Sequence, residues 1–307
     1  MLGLRAAAFV AGSTVGPWAQ AKAGRLSGVL AGQITSAPGL VWAHGLGGSC
    51  KADDARGLSE LLWPTASHRR VLRLDLRGHG ESAAAHDPRG GPEQYRWPNL
   101  AHDFLEAAVS MEPPLTFFGG EASGAAVALH AATAAAADAA LGRPHGLILM
   151  RPPIFWGARK VWSIRYELGA RCAEAEGLRS QSTEGEAIGR LLNVGYTKDG
   201  RLLGATKSTP SEASEIVLGE WRGCGSDKYA MALRGLSASE LPDDAKLRAL
   251  KLPALILAVG GDAEHPVDAA EDLAALLPLS ELVIANSLQE ARNDWGRRIN
   301  EFVQAAT

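Results

Sequence analysis

Cysteines and long apolar runs are scarce in this sequence, and each scarcity excludes a class of protein. The only cysteines among 307 residues are Cys50, Cys172 and Cys224, which lie far apart and form no C-x-x-C pair. This spacing favours neither a disulfide framework nor a zinc knuckle, and it suits a reducing compartment. No stretch approaches the ~20 consecutive apolar residues that span a membrane.

Neither positive nor negative charge is in large excess. Lysine and arginine number 31 and aspartate and glutamate 34, which gives a net charge of −3. This balance does not attract a protein to nucleic acid or to an anionic membrane, so neither is an expected partner. With 46% apolar residues and 21% charged residues, the chain has the composition of a folded globular protein.

Acidic residues are absent before Asp53, and residues 1–25 form a separate N-terminal lead-in. Arg5 followed by a weakly apolar stretch and Ala19-Gln20-Ala21 resembles a secretory signal with its cleavage site. The alternatives are an organellar transit peptide and a plain alanine-rich lead-in to the first strand, and the short, glycine-broken apolar stretch favours the plain lead-in. We therefore expect a soluble protein of the cytoplasm or an organelle, with removal of the lead-in left open.

Short apolar runs alternate with segments of helical period, a pattern typical of a parallel sheet covered on both faces. Leu100, Phe104, Ala108 and Met111, for example, form one helical apolar stripe. The sequence therefore predicts an α/β fold with a doubly wound, mostly parallel sheet. The candidate strands are Leu40–His44, Val71–Leu76, Leu115–Gly119, Gly146–Met150, Ala254–Val259 and Glu281–Ala285.

One interval is too long to be an ordinary connection. About a hundred residues, 152–251, separate two strands that should be neighbours, and we interpret them as an inserted helical cap. The core then comprises residues 26–151 and 252–307. We expect the aromatic residues of the cap to form its own small core rather than a ligand cage: Trp156, Trp162, Tyr166, Tyr196, Trp221 and Tyr229.

Four motifs follow predicted strands at their carboxyl ends, where open α/β sheets place ligands. The first is His44-Gly45-Leu46-Gly47-Gly48, which fails as a dinucleotide fingerprint because the third glycine would fall at Cys50. The second, Asp75-Leu76-Arg77-Gly78-His79-Gly80-Glu81-Ser82, has a structural interpretation in which Asp75 and Arg77 brace the loop.

The third motif has the outline of a nucleophile elbow, G-x-S-x-G, in which glycines flank a strained turn. Centring it on Ala122 places Gly120 and Gly124 two residues away on either side. A register centred on Glu121 is tolerable and one centred on Ser123 is poor. The best register therefore has alanine where the nucleophile belongs.

The fourth motif delivers Asp262 from the apolar strand Ala254–Val259 into a turn that contains His265. Asp262 is placed to orient a catalytic base. It could equally cap the helix that begins near Pro266, and the two roles are compatible.

Together these motifs resemble the α/β-hydrolase fold family over roughly residues 38 to 305. Within that family, the elbow is most similar to the string G-G-x-S-x-G-A-A-x-A-L-H. The resemblance implies that Ala122 occupies the nucleophile position, that Asp262 is the triad acid, and that the N–H groups of Leu46 and Ser123 form the oxyanion hole beside His44.

Two departures set the chain apart from that family. Ala122 has no oxygen with which to attack a substrate, and no histidine follows His265, although the family's base usually follows the eighth strand. His265 is the tentative base because of its i+3 spacing from Asp262. Glu121 and His79 are alternative acids or bases.

Two functional hypotheses follow. In the first, the chain is a carboxylic-ester or related small-molecule hydrolase whose serine is replaced by Ala122. In the second, it is a non-hydrolytic member, either a ligand-binding pseudoenzyme or a lyase or isomerase that uses the oxyanion hole. We expect a small, largely apolar ligand, no cofactor and no metal, and leave the oligomeric state open.

Overall fold

The computed structural model describes residues 19–33, 37–66, 68–138, 141–142, 144–176, 225–262 and 264–306. They include an eight-stranded sheet of strand order β1-β2-β4-β3-β5-β6-β7-β8. Its strands are β1 (Ala19–Ala23), β2 (Leu26–Ala31), β3 (Gly39–Ala43), β4 (Val71–Asp75), β5 (Leu115–Glu121), β6 (Gly146–Met150), β7 (Ala254–Val259) and β8 (Ser280–Ala285).

Helices connect the strands and cover the sheet. The described α-helices are α1 (Cys50–Ala55), α2 (Leu58–Ala66), α3 (Trp97–Ser110), α4 (Ser123–Ala137), α5 (Lys160–Glu176), α6 (Ser226–Ser237), α7 (Asp244–Ala249), α8 (Val267–Leu276) and α9 (Leu288–Ala305). Short 3-10 helices span Gly80–Ala85, Pro92–Tyr95 and Trp156–Arg159.

The predicted doubly wound, mostly parallel sheet is confirmed. Strands β3 to β8 pair in parallel. Successive residues of a strand point to opposite faces, and on β3 Val41 belongs to one core cluster whereas Trp42 belongs to the other. Both faces of the sheet are therefore buried, which explains why its strands are continuous apolar runs.

The sequence analysis missed the antiparallel strands β1 and β2. β1 pairs with β2, and β2 pairs with β4. β1 reads Ala-Gln-Ala-Lys-Ala, which lacks the large apolar residues by which the other strands were identified. Ala19-Gln20-Ala21, considered above as a cleavage site, lies within this strand, while residues 1–18 lie outside the described residues.

The chain between β6 and β7 is helical where it is described, and α5 packs along α6. Arg159 connects this segment to the core, because its guanidinium stacks on the Trp97 ring at 4.2 Å from the ring centre. Tyr229 is buried in a cluster with Ala170, Leu233 and the core residue Tyr95. Tyr196 and Trp221 lie outside the described residues.

None of the described helices combines the length and the apolar character that crossing a membrane requires.

Candidate functional site

The turn between β5 and α4 has a strained backbone. Ala122 has φ 53° and ψ −118°, a region that favours glycine. A Cβ on Gly120 would lie 2.4 Å from the Gly124 carbonyl, and a Cβ on Gly124 would lie 2.1 Å from the Ala43 oxygen. Both glycines are therefore sterically required, as a turn of the G-x-S-x-G type centred on Ala122 demands.

A small cavity lies beside this turn. Leu46, in the loop after β3, and Ser123, the first residue of α4, both line the cavity. Within the described residues, neither N–H donates a hydrogen bond to another protein group. The helix dipole of α4 adds positive potential at the Ser123 end. This arrangement is able to bind a carbonyl oxygen.

The cavity is small and mostly apolar. The space in which the centre of a water molecule fits is about 10 Å³, and all of the empty space there, open solvent included, is about 260 Å³. The cavity therefore has room for about one water molecule. Its walls include Leu46, Leu76, Leu100 and Leu236, and the described residues contribute no charged side chain to its lining.

His44 braces the loop that carries Leu46. Its ring is almost wholly buried. Nδ1 lies 2.7 Å from the Gly45 oxygen, to which it donates, and Nε2 accepts a hydrogen bond from the Leu76 N–H at 3.0 Å. The two contacts define the tautomer with the proton on Nδ1.

Asp75 and Arg77 brace the next loop, as the structural interpretation of that motif expects. Asp75 accepts hydrogen bonds from the N–H groups of Cys50 and Glu81, and Arg77 makes a bidentate pair with Asp103. His79 also lines the cavity. Burial, together with His44 nearby, lowers the pKa of His79 to about 3, so its ring is neutral at physiological pH.

A chain of ion pairs lies behind the turn. Arg151, directly after β6, contacts Asp262 at 2.7 Å and Glu121 at 3.1 Å. Glu121 contacts Arg56 at 3.0 Å, and Arg56 also pairs closely with Asp53. Three carboxylates thus alternate with two guanidiniums across four segments of the chain.

The arginines keep the site carboxylates ionised. Burial opposes ionisation of Glu121, but the charges of Arg56 and Arg151 outweigh it and lower its pKa to about 2. Burial likewise opposes ionisation of Asp262, and His265 and Arg151 outweigh it, so the pKa of Asp262 lies well below its usual range. At neutral pH neither group has a proton to give.

Both oxygens of Asp262 are occupied. Oδ1 accepts hydrogen bonds from the N–H groups of Glu264 and His265 at 3.0 and 3.1 Å. Oδ2 accepts from Arg151. The His265 Nδ1 lies 3.4 Å from the same Oδ2, which is longer than an ordinary N–H···O hydrogen bond. The role of His265 as a base stays a prediction.

The sequence analysis missed Arg56 and Arg151. The only signal for Arg151 is its position at the carboxyl end of β6, the edge of the sheet where ligand sites lie. Arg56 belongs to the turn after α1 and carries no comparable signal. The structure brings Glu121, Ala122, Asp262 and the two arginines together, whereas Leu46, His79 and Ser123 line the cavity.

One described cluster, His102, Asp103 and Glu106, offers three potential metal ligands within 4.8 Å of one another. Arg77 contacts both oxygens of Asp103, and Arg25 pairs with Glu106 at 3.1 Å. The negative charges that would hold a cation are therefore already neutralised.

Comparison with protein-family models finds no match, and neither does comparison with curated protein sequences. Solved structures do match. MenH from S. aureus has a TM-score of 0.65 at 18% identity, with 90% of this chain and 97% of that chain covered. A hydrolase from Pseudomonas aeruginosa PA01 has a TM-score of 0.64 at 22% identity, with 98% of this chain and 97% of that chain covered.

An enol-lactonase from Burkholderia xenovorans LB400 matches with a TM-score of 0.64 at 21% identity, covering 93% of this chain and 99% of that chain. Each of the three alignments covers nine-tenths or more of this chain. The chain has the α/β-hydrolase fold.

Proposed function

We propose that this chain is a non-hydrolysing protein that binds a small, uncharged carbonyl compound at the mouth of the cavity beside Ala122, with only the carbonyl oxygen entering the cavity, which has room for about one water molecule. The observation that carries the proposal is the Arg151–Asp262 ion pair. A carboxylate in the triad acid's position orients and stabilises an imidazole. In this chain the Asp262 carboxylate pairs with the guanidinium of Arg151, which cannot accept a proton.

Loss of the hydroxyl alone does not account for the site. If only the serine were missing, the acid would remain available to a base. Instead Oδ2 of Asp262, which lies 3.4 Å from the His265 ring nitrogen Nδ1, already accepts a hydrogen bond from Arg151. At least two changes therefore separate this chain from a working triad.

Two backbone donors support the proposed binding role. Leu46 and Ser123 line the cavity, and neither N–H has a protein acceptor in the described part of the chain. Preorganised donors of this kind bind carbonyl oxygens and stabilise oxyanions. The uncharged lining favours a neutral ligand, since a buried charge without a partner is costly.

Restoring the hydroxyl tests the proposal. We expect Ala122→Ser to hydrolyse p-nitrophenyl butyrate at the rate of the unchanged protein and to resist labelling by a fluorophosphonate, because no base activates the serine. An active serine esterase serves as the positive control. Labelling together with a rate gain of several powers of ten would instead identify the chain as an inactivated serine hydrolase.

Binding is tested with butanone by ligand-observed NMR on the unchanged protein. We expect Gly45→Val to abolish the signal, because a Cβ at Gly45 lies 3.4 Å from the Ala122 Cβ and the larger side chain fills the site. Gly157→Ala is the matched control, since a Cβ there meets no atom within 4 Å. Equal signals from both variants would place binding elsewhere.

A second candidate is the hydrolase hypothesis itself, and the retained strain at Ala122 favours it. Without a nucleophile the turn has no evident need for φ 53°. The double variant Ala122→Ser/Arg151→Gln frees Asp262 for His265. Turnover in the double variant and not in Ala122→Ser alone would support this candidate, with His265 as its base.

A further inference from the structure

Strand β8 forms one end of the described sheet, and apolar side chains are exposed on and beside it. Ile284 is 41% exposed, and Leu279, directly before the strand, is 53% exposed. They are two of the four large apolar residues that the described chain exposes. Single exposed apolar residues are ordinary, but two of them at an open strand edge indicate a contact surface.

The backbone of β8 also has hydrogen-bonding groups directed away from the sheet. The oxygens of Leu279 and Ala285 accept hydrogen bonds from β7 and from the residue directly after it. Because alternate residues of a strand bond to the same neighbour, the N–H and C=O groups of Leu282 and Ile284 point outward. No strand in the described part of the chain pairs with them. An edge of this kind is a template for pairing with another chain.

β8 has little that protects a strand edge from such pairing. Its sequence, Ser-Glu-Leu-Val-Ile-Ala, contains no proline and no lysine, and its register with β7 is continuous, without a bulge. β1, at the other end of the sheet, carries Gln20 and Lys22 among alanines. An edge lysine opposes pairing, so the structure favours pairing of β8 with a second β8 over pairing of β8 with β1.

We propose that β8 is the surface through which two copies of this chain associate, by antiparallel pairing about a two-fold axis at Val283. In this register Leu282 lies opposite Ile284 of the second copy, and the two residues exchange a pair of N–H···O=C hydrogen bonds. The symmetry repeats this pair on the other side of the axis. All of the outward backbone groups of Leu282 and Ile284 are then satisfied in both copies.

The side chains that this register brings together are compatible. Leu282 and Ile284 lie on one face of β8, so the two copies join four apolar side chains on that face, while the two Val283 side chains meet on the other. Glu281, the single charged residue of β8, lies opposite Ala285 of the second copy, so no carboxylates oppose each other. The net charge of −3 per chain adds little repulsion.

The expected dimer is weak, because one six-residue strand with its neighbouring side chains buries less than the roughly 800 Å² per partner of a standard interface. We expect a dissociation constant of about 10–100 µM. Sedimentation velocity of the full chain from about 5 µM to about 500 µM brackets this value. The sedimentation coefficient should rise with concentration toward that of a dimer, and a monomer over the whole range would overturn the proposal.

A charged substitution at the strand edge tests the location of the contact. Ile284→Lys places an ammonium opposite Leu282 of the second copy and should weaken association at least about tenfold. Val109→Lys is the matched control, since Val109 is a β-branched residue on α3 that is 39% exposed, and it should associate like the unchanged protein. Equal association of the two variants, or loss of the dimer in Val109→Lys alone, would overturn the proposal.

Cross-linking tests the register independently. The two-fold axis places the two Val283 Cα atoms about 4.5 Å apart, which a disulfide can span. Val283→Cys should therefore form a covalent dimer under mild oxidation, measured on a non-reducing gel. In Ile284→Cys the two introduced thiols lie on residues roughly 7–8 Å apart and should not link, and the unchanged protein gives the background from its own three cysteines. Failure of Val283→Cys to exceed both controls would overturn the proposed pairing.

Discussion

At the residue scale, Ala122 is the most informative position. Its backbone conformation is one that glycine adopts freely and that alanine adopts at a cost. The steric requirements for glycine on either side allowed the sequence alone to locate the turn. The sequence could not show that Asp262 pairs with Arg151, since that depends on where Arg151 lies in the fold.

The strain at Ala122 predicts a stabilising substitution. Ala122→Gly should raise the free energy of unfolding by about 1 kcal/mol, because relief of the positive φ exceeds the entropy that glycine adds. Urea denaturation measures the change. Ala134→Gly, an exposed position in α4, should lower the same quantity by about 1 kcal/mol. A loss of stability in both variants would mean that Ala122 is unstrained.

The opposite result is expected two residues away. Gly124→Ala places a Cβ 2.1 Å from the Ala43 oxygen, a contact that only a shift of β3 or α4 can relieve. We expect the free energy of unfolding to fall by about 3 kcal/mol or more. Gly157→Ala, in open space, should leave it unchanged. Similar stability of the two variants would show that the turn yields easily.

At the scale of elements, the ion pairs connect four separate segments: the turn after α1, the end of β5, the residue after β6 and the loop after β7. Sequence patterns predicted the strands because each is a local apolar run. They did not predict these ion pairs, because long side chains from distant segments meet without any fixed spacing.

Arg151 lies at the centre of this network, so its removal leaves the buried Asp262 without an arginine and leaves Glu121 with Arg56 alone. We expect Arg151→Met to lower the free energy of unfolding by about 3–5 kcal/mol in urea denaturation. Arg297→Met removes an exposed arginine that pairs with Asp294 and Glu301 on α9, and should change it by less than about 1 kcal/mol. Equal losses would contradict a central role for Arg151.

The network also predicts a pH dependence. The pKa of Glu121 is about 2 in the folded protein against an ordinary value of 4.5. Its stabilising contribution is therefore present above pH 4.5 and is lost as the pH falls toward 2. Denaturation at a series of pH values should show this loss, and Glu121→Gln should show a smaller decline over the same window. Parallel curves would refute the contribution.

At the scale of the molecule, the parallel sheet was predictable and its N-terminal antiparallel edge was not. The strands from β3 to β7 are buried on both faces and carry a strong apolar signal. β1 lies at the edge of the sheet, where Gln20 and Lys22 face solvent without cost. The predicted cap stays a prediction, although its described helices pack against the core through Arg159.

Arg159 is buried and donates to the carbonyl oxygens of Ser239 and Leu236 near the end of α6, while its guanidinium stacks on Trp97. Arg159→Lys keeps the charge but loses the stacking and the planar donors. We expect the free energy of unfolding to fall by about 2 kcal/mol and amide hydrogens of α6 to exchange faster. Arg171→Lys, on the exposed side of α5, should do neither.

The distribution of the ion pairs over four segments has a consequence for chimeric proteins. If the loop after β7 were replaced by that of another protein with this fold, the new loop would meet the guanidinium of Arg151, which pairs with Asp262 in this chain. Transplants into this scaffold must therefore exchange the β6 and β7 loops as a unit.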